Sequence, residues 1–513
     1  MNSLPLLSLL VFAPWAGALV LALLPRLSPS ASRGLALGTS LSTLLFGLIA
    51  CSDFNPAATA YQFVEVHNWI RALGVHYYLG LDGMSLLLVL LTGLVAPAAL
   101  LASWRLERDV RLFNLLFLLL QGAALGVFLA LDFFHWFIFW ELSLVPAFFL
   151  IKLWGGPGAP RAAYQFVIYT LAGSAFMLAA FAAIYGATGS LSFPQLAHAA
   201  AGGELAAALG PWWIKIVFVG VFLGLAVKVP LFPFHTWLPS AYAEAPTGAS
   251  MFLTGIMSKM GVYGFFRLLW PLFPAQLHAA SGVLLWLALA GVVLGAFAAM
   301  AQTDLKRMIA YSSINHVSYC LLALFAVAGG GSELARDSAA TSAALTSAKE
   351  AALSGALLQM FNHGLSASAL FFCAGILASR NNGNRGLADY GGVRTSAPLF
   401  AGLCGLAMFS SIGLPGLNGF VGEFLIFRGV FGLVPYAAAV ACLGLFATAY
   451  FLLTFWQKVF HGPVAGGGKN FADLDGLELA TLLPGIVLMF LLGLAPQLLA
   501  GLINPLVTTW AAK

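Results

Sequence analysis

Six ionisable side chains in this sequence lie where ionisable side chains are costly. Glu141 lies in FFHWFIFWELSLVPAFFLIKLW, Lys228 in VFLGLAVKVPLFPFHTWLP and Lys259 in MFLTGIMSKMGVYGFF. His316 lies in YSSINHVSYCLLAL, His363 in LLQMFNHGLSASALFF, and Glu423 ends SSIGLPGLNGFVGE. A charge within the hydrocarbon of a membrane costs at least ~2.5 kcal/mol, so each is a functional candidate by default. Burial penalises the charged form of an acid or a base, and an opposite charge nearby restores it. A Glu141–Lys228 pair therefore responds to one arriving or departing charge, and the two are expected within ion-pair distance or one water of each other. Lysine, histidine and glutamate in succession, bridged by water, pass protons sideways between helices without an open pore. One such residue alone is sometimes only a structural ion pair; six in six different apolar runs are a proton path. Asp132 is better placed to end a helix near water, and His235 to pack.

Other chemistries lack their residues. The five cysteines (Cys51, Cys320, Cys373, Cys404, Cys442) never approach CxxC spacing and lie in or beside apolar runs, so they pack as small hydrophobes and do not ligate metal. No GxGxxG, Walker A or HExxH pattern occurs, which removes support for nucleotide hydrolysis, dinucleotide binding and zinc hydrolysis.

The elements that must hold these residues follow from composition. Of 513 residues, 61% are hydrophobic and 8% charged, with a mean hydropathy of +0.95. That describes an all-α polytopic membrane protein and excludes soluble enzymes, nucleic-acid binders and disordered scaffolds. Fourteen apolar runs are long enough to cross, at 4–25, 33–51, 82–104, 111–131, 133–154, 161–186, 212–229, 247–271, 281–301, 304–327, 351–378, 395–427, 434–459 and 480–503. Met1-Asn2-Ser3 offers no positive n-region, so the first run is expected to stay as a span. With the amino end outside, the cytoplasmic loops carry fourteen Lys and Arg and the opposite side seven, which predicts both termini on the periplasmic side of a bacterial inner membrane. The connecting segments at 52–81, 187–211 and 329–350 are too small for a catalytic domain, and the last, rich in Gly, Ala and Ser, is expected to be a mobile insertion.

Two spans look broken. K-V-P-L-F-P at 228–233 sets two prolines beside Lys228, and G-L-P-G-L-N-G at 413–419 sets Pro415 among glycines upstream of Glu423. Proline frees carbonyls that hydrocarbon cannot satisfy. A broken helix with a charge in each half of a chain points to an ion site between inverted repeats. On that logic residues 1–110 hold three leading spans, 111–271 the first five-helix repeat, 281–460 the second, and 461–513 a loop and the last span.

FWELSLVPAFFLIKLWGG, YTLAGSAFML, VKVPLFPFHTWLP, AEAPTGAS with SKMGVYGFFR, NHGLSASALFF and LPGLNGFVGEF, in this order from about residue 80 to 500, resemble the signatures of the proton-pumping antiporter-like subunits of respiratory complex I. Among them the chain is most similar to the M type. Glu423 stands where the L and N types and Mrp antiporters usually have lysine, and the chain ends soon after the last span without a long lateral helix. The resemblance implies fourteen helices with two inverted five-helix repeats in the membrane arm of an NADH:quinone oxidoreductase. It implies Glu141 as the glutamate of span five, Lys228 as the lysine of the first broken helix and Lys259 as the bridging lysine of span eight. His316 and His363 become histidines of a central axis, and Glu423 its terminal acid. It implies no cofactor in this chain, with flavin, iron–sulfur clusters and quinone in partner subunits, and L-type and N-type neighbours in the bilayer. The family's WLPDAHVEAP reads WLPSAYAEAP here, so Ser240 and Tyr242 replace an acid and a histidine. The competing expectations are a subunit of a Mrp-type cation/proton antiporter, against which Glu423 argues, and a subunit of a related hydrogenase or inorganic-carbon uptake complex.

Overall fold

The computed structural model describes residues 5–330, 339–466 and 471–512. The chain opens with α1 (Leu6–Leu23), α2 (Pro29–Ser52), an antiparallel hairpin of β1 (Gln62–Ile70) and β2 (Val75–Leu81), α3 (Gly83–Ala102) and α4 (Val110–Leu129). There follow α5 (Phe133–Leu142), α6 (Leu144–Trp154), α7 (Ala159–Thr188), α8 (Phe193–Ala201), α9 (Glu204–Lys228) and α10 (Leu238–Glu244). Next come α11 (Thr247–Phe252), α12 (Ser258–Gly264), α13 (Trp270–Leu272), α14 (Pro274–Met300), α15 (Leu305–Ala328) and α16 (Ala339–Arg380). A short pair of β3 (Tyr390–Gly391) and β4 (Ala465–Gly466) brackets α17 (Pro398–Ile412), α18 (Asn418–Leu433) and α19 (Pro435–Phe460), before α20 (Gly476–Leu494) and α21 (Gln497–Ala511).

Among the described residues, twelve helices are long and apolar enough to cross a membrane, α5 and α6 counting together as one. The remaining two expected runs are present in pieces. Residues 247–272 carry π-turns at Leu253–Met257 and Phe265–Leu269, and 398–433 is split into α17 and α18. The chain is thus an all-α polytopic protein.

Several expected boundaries move, each for a local reason. The span set at 395–427 runs from 398 to 433, broken where Gly413 (φ 82) and Gly416 (φ 93) take left-handed conformations that favour glycine. The span set at 480–503 is two helices. Ala495 precedes Pro496 and leaves the helical region (φ −130, ψ 61). Residues 339–350, expected in a mobile insertion, begin α16 instead: the stretch is alanine-rich, and Ala348 and Ala352 pack against Gly429. The segment at 52–81 folds as the β1–β2 hairpin, and 187–211 holds α8 and the start of α9, which kinks at Gly210–Pro211. Residues 331–338 of the expected insertion, and Arg336, Lys469 and Lys513 of the orientation count, lie outside the described residues.

Among the described residues, four aspartates serve as helix N-caps. Asp82, Asp132, Asp304 and Asp475 accept backbone N–H bonds at the starts of α3, α5, α15 and α20. Asp132 is therefore a cap, although a fully buried one. His235 stacks on Phe232, 5.2 Å between ring centroids.

The middle of the bundle is α16, which packs on α18, α15, α3 and the Leu253–Met257 π-turn. These backbones approach closely because glycines face each other. A Cβ on Gly255 would meet Ser368 Oγ at 2.5 Å, one on Gly364 would meet Gly255 O at 2.8 Å, and one on Gly422 would meet Gln359 Oε1 at 2.5 Å. This contact puts the α12 start and α18 within side-chain reach of one face of α16.

Candidate functional site

Lys228 is the last residue of α9, at the first break, and 2% exposed. Beyond it Pro230 has no N–H to give. Leu231 N–H reaches back to Ala226 O at 2.9 Å, and the Trp237 indole N–H donates to Val227 O at 2.9 Å. The carbonyls freed by the break are thus bonded within the protein, as membrane depth demands.

Glu141 and Lys228, expected within ion-pair distance or one water of each other, make no direct ion pair among the described residues. Lys228 Nζ instead donates to Ser143 Oγ at 3.4 Å and stands 4.9 Å from the Trp140 ring centre. The α5–α6 junction stays helical at Ser143 (φ −67, ψ −26), although Pro146 cannot donate to Leu142 O, and the buried Ser143 hydroxyl donates to Trp140 O at 2.7 Å. Glu141 is only half-buried, beside the exposed Leu142 and Val145, with Oε1 lacking a protein partner.

From Lys259 onward the expected residues touch. The π-turn before α12 sends Ser258 N–H back five residues to Leu253 O, so that Thr254 O accepts side chains: Ser258 Oγ at 2.8 Å and Lys259 Nζ at 2.7 Å. Lys259 Nζ is 2.8 Å from His363 Nδ1. The His363 and His316 rings stack with centroids 5.2 Å apart, and His316 Nδ1 lies 2.9 Å from Glu423 Oε1. Lys259, His316, His363 and Glu423 are 1, 3, 3 and 4% exposed, so the row is screened from bulk solvent. Nε2 of each ring and Glu423 Oε2 have no protein partner, leaving them to bond water. The arrangement can hand a proton from an amine through two imidazoles to a carboxylate.

Sequence reasoning passed over several members. Gln359 Nε2 donates to Glu423 Oε1 at 3.1 Å and lies 3.5 Å from His316 Nδ1. It sits four residues before His363, on the same helix face, and a polar residue in the apolar run LLQMFNHG was the signal. Asn362 and Asn418 bond each other across α16 and α18, at 2.7 Å from Asn362 Nδ2 to Asn418 O. Arg267, counted as a loop charge, is buried in the second π-turn and pairs with Asp82 at 2.6 Å. It also donates to Tyr61 at 2.7 Å and Tyr263 at 3.1 Å. Burial pushes the Tyr61 hydroxyl up to about 12, so it stays neutral beside that pair.

The chain matches the family described as NADH:quinone oxidoreductase/Mrp antiporter, transmembrane, over residues 130–336 and 339–449. It is 35% identical to NADH-quinone oxidoreductase subunit M of Mycobacterium tuberculosis, over 99% of this chain and 94% of the relative. A chain of respiratory complex I from Thermus thermophilus with bound NADH superposes with a TM-score of 0.84 at 31% identity, covering 99% of each. A chain of the Mrp complex from Dietzia sp. DQ12-45-1b superposes with a TM-score of 0.79 at 20% identity, covering 98% of this chain and 97% of that one, which is a likeness of fold alone.

Proposed function

The chain belongs to the NADH:quinone oxidoreductase/Mrp antiporter family, and from that premise we propose that it is the M-type membrane-arm subunit of an NADH:quinone oxidoreductase and carries protons across the membrane. Electron transfer from NADH to quinone occurs in other subunits. The observation that carries this reading is the buried row Lys259–His363–His316–Glu423, each member within contact of the next. Such a row has no use in a spacer, since unshielded charges at membrane depth each cost at least ~2.5 kcal/mol.

In this reading Glu141 receives the driving signal. It stands on a face whose apolar side chains Leu142 and Val145 are exposed in the single chain, where a charge on a neighbouring subunit would reach it. A change there alters the field at Lys228, whose ammonium has no carboxylate in contact. The proton released moves to Lys259, then along the two histidines, and leaves from Glu423. The acid at the end of the row binds a proton and gives it up again to the outer side, which a lysine in hydrocarbon does less readily. Glu423 and the subunit M relatives favour this reading over a Mrp-type antiporter.

The test is Lys259→Met in the whole complex, in membrane vesicles. NADH-driven acidification per NADH oxidised falls while the complex assembles; normal pumping would overturn the proposal.

A further inference from the structure

A cleft enters the bundle between α2, α3, α16 and α20. Leu365 lines it two residues after His363, which is about 200° round the helix, so the cleft meets the face of α16 that points away from the row. Two chambers make it up. The inner, about 200 Å³, is walled by apolar side chains such as Leu44, Val95, Phe372 and Leu488. Its polar side chains are Ser368 and Thr481, whose hydroxyls already donate to Gly364 O at 2.7 Å and Leu477 O at 2.8 Å. A water held in a cavity needs two to four polar partners, so this chamber suits hydrocarbon. Its lining reaches the outer surface at Leu41 of α2, 46% exposed, and at the exposed Pro484 of α20.

The outer chamber, about 120 Å³, shares Leu101, Phe372 and Thr481 with the inner and continues to Ser379, Arg105 and Glu478. Along α16 the lining runs from Leu365 to Ser379, about 21 Å of helix. One leaflet of a bilayer measures about 15 Å of hydrocarbon and about 20–22 Å with its headgroups. The cleft is therefore one leaflet long, apolar at its deep end and charged at the other. At the charged end Arg105 pairs with Asp475 and lies 3.6 Å from Glu478, which Arg380 also meets at 2.5 Å. These two guanidiniums and two carboxylates cancel. Arg105 is exposed and keeps N–H groups to spare, since a guanidinium carries five.

We propose that this cleft binds one phospholipid, with an acyl chain in the inner chamber and a zwitterionic headgroup bearing a primary ammonium at the mouth. The phosphate sits on Arg105 and the ammonium on Asp475 and Glu478, so each charge of the headgroup meets its opposite. An anionic headgroup would bring a net negative charge beside two carboxylates with nothing to offset it. The chain gives the inner wall the dispersion contacts that a gap forgoes, and it backs α16 from the side opposite His363.

The experiment places the assembled complex in phosphatidylglycerol vesicles with a trace of phosphatidylethanolamine whose acyl chain is photoactivatable, and maps the labelled residues by peptide mass spectrometry. Label is expected on Val95, Phe372 and Leu488. An added Cβ on Gly485, at the cleft wall, meets only Leu365 Cδ1 at 3.6 Å, so Gly485→Leu fills the inner chamber with its own side chain and favours the helix. Cleft label is then lost while label elsewhere on the chain is unchanged. Arg105→Gln loosens the headgroup and lowers cleft label. Replacing the host lipid by unlabelled phosphatidylethanolamine displaces the probe from the unaltered cleft. Cleft label that is missing from the unaltered protein, or that survives Gly485→Leu, overturns the site; cleft label indifferent to the host lipid and to Arg105→Gln overturns the headgroup assignment. Should Gly485→Leu fail to assemble, Ala98→Leu, half-buried on the α3 wall, carries the same test. None of these readouts depends on proton pumping.

Discussion

Glu423→Gln separates titration from shape. Glu423 Oε1 accepts from His316 Nδ1 at 2.9 Å and from Gln359 Nε2 at 3.1 Å, while Oε2 lies beside Gly413 without a protein partner. In the variant an amide oxygen keeps both bonds and an NH2 group takes the place of Oε2. The structural cost is the difference between charged and neutral hydrogen bonds, about 1 kcal/mol each, which an assembled complex tolerates. The functional cost is larger. Unit charges 2.9 Å apart at an effective dielectric of about 20 attract by about 6 kcal/mol, and the imidazolium–carboxylate state that this favours no longer exists. Losing only about 1.4 kcal/mol in that step slows it tenfold, so proton translocation falls at least tenfold. Glu423→Asp keeps the charge at a slightly longer reach and is milder. The assay is NADH-driven dye quenching in vesicles, normalised to NADH:quinone turnover and to assembled complex. Glu423→Gln pumping at normal rate and stoichiometry would refute the reasoning and move the exit to a histidine or a neighbouring subunit.

Glu141→Ala abolishes pumping in vesicles while native gels show intact complex, because Oε1 has no partner in the chain to be orphaned; loss of assembly would contradict this. Arg267→Met leaves Asp82 buried and unpaired at a cost of about 3–5 kcal/mol and lowers the amount of subunit in the membrane, and adding Asp82→Asn recovers part of it. Gly419→Ala sets a methyl on Ser410 O, an overpacking of about 1–3 kcal/mol or more that lowers assembly, whereas Gly402→Ala, with nothing within 4 Å, leaves it unchanged. The isolated chain in liposomes moves no protons with NADH; robust sodium/proton exchange there would favour the antiporter reading.

The sequence alone determined the solvent of this protein and the ends of its row. Apolar runs of bilayer length require helices, since no other open element satisfies its backbone in hydrocarbon, and charges inside those runs stand out against them. Both breaks were legible because proline and clustered glycine act locally: Lys228 closes a helix, and Gly413 and Gly416 interrupt one. The π-turns were not legible, since they depend on which neighbours bond the released carbonyls, as Tyr242 and Lys259 do at Leu253 and Thr254. Arg267 passed for a loop charge because Asp82 lies 185 residues away. Tertiary structure also decided the partners. Two opposite charges in hydrophobic runs invite pairing, yet Glu141 and Ser143 lie on nearly opposite sides of one helix, and it is the Ser143 hydroxyl and not Glu141 that Lys228 bonds. Gln359 meets Glu423, and Lys259 meets His363, because closely packed glycines let α16 approach α18 and the first π-turn, and side-chain contact follows a backbone separation that composition does not encode.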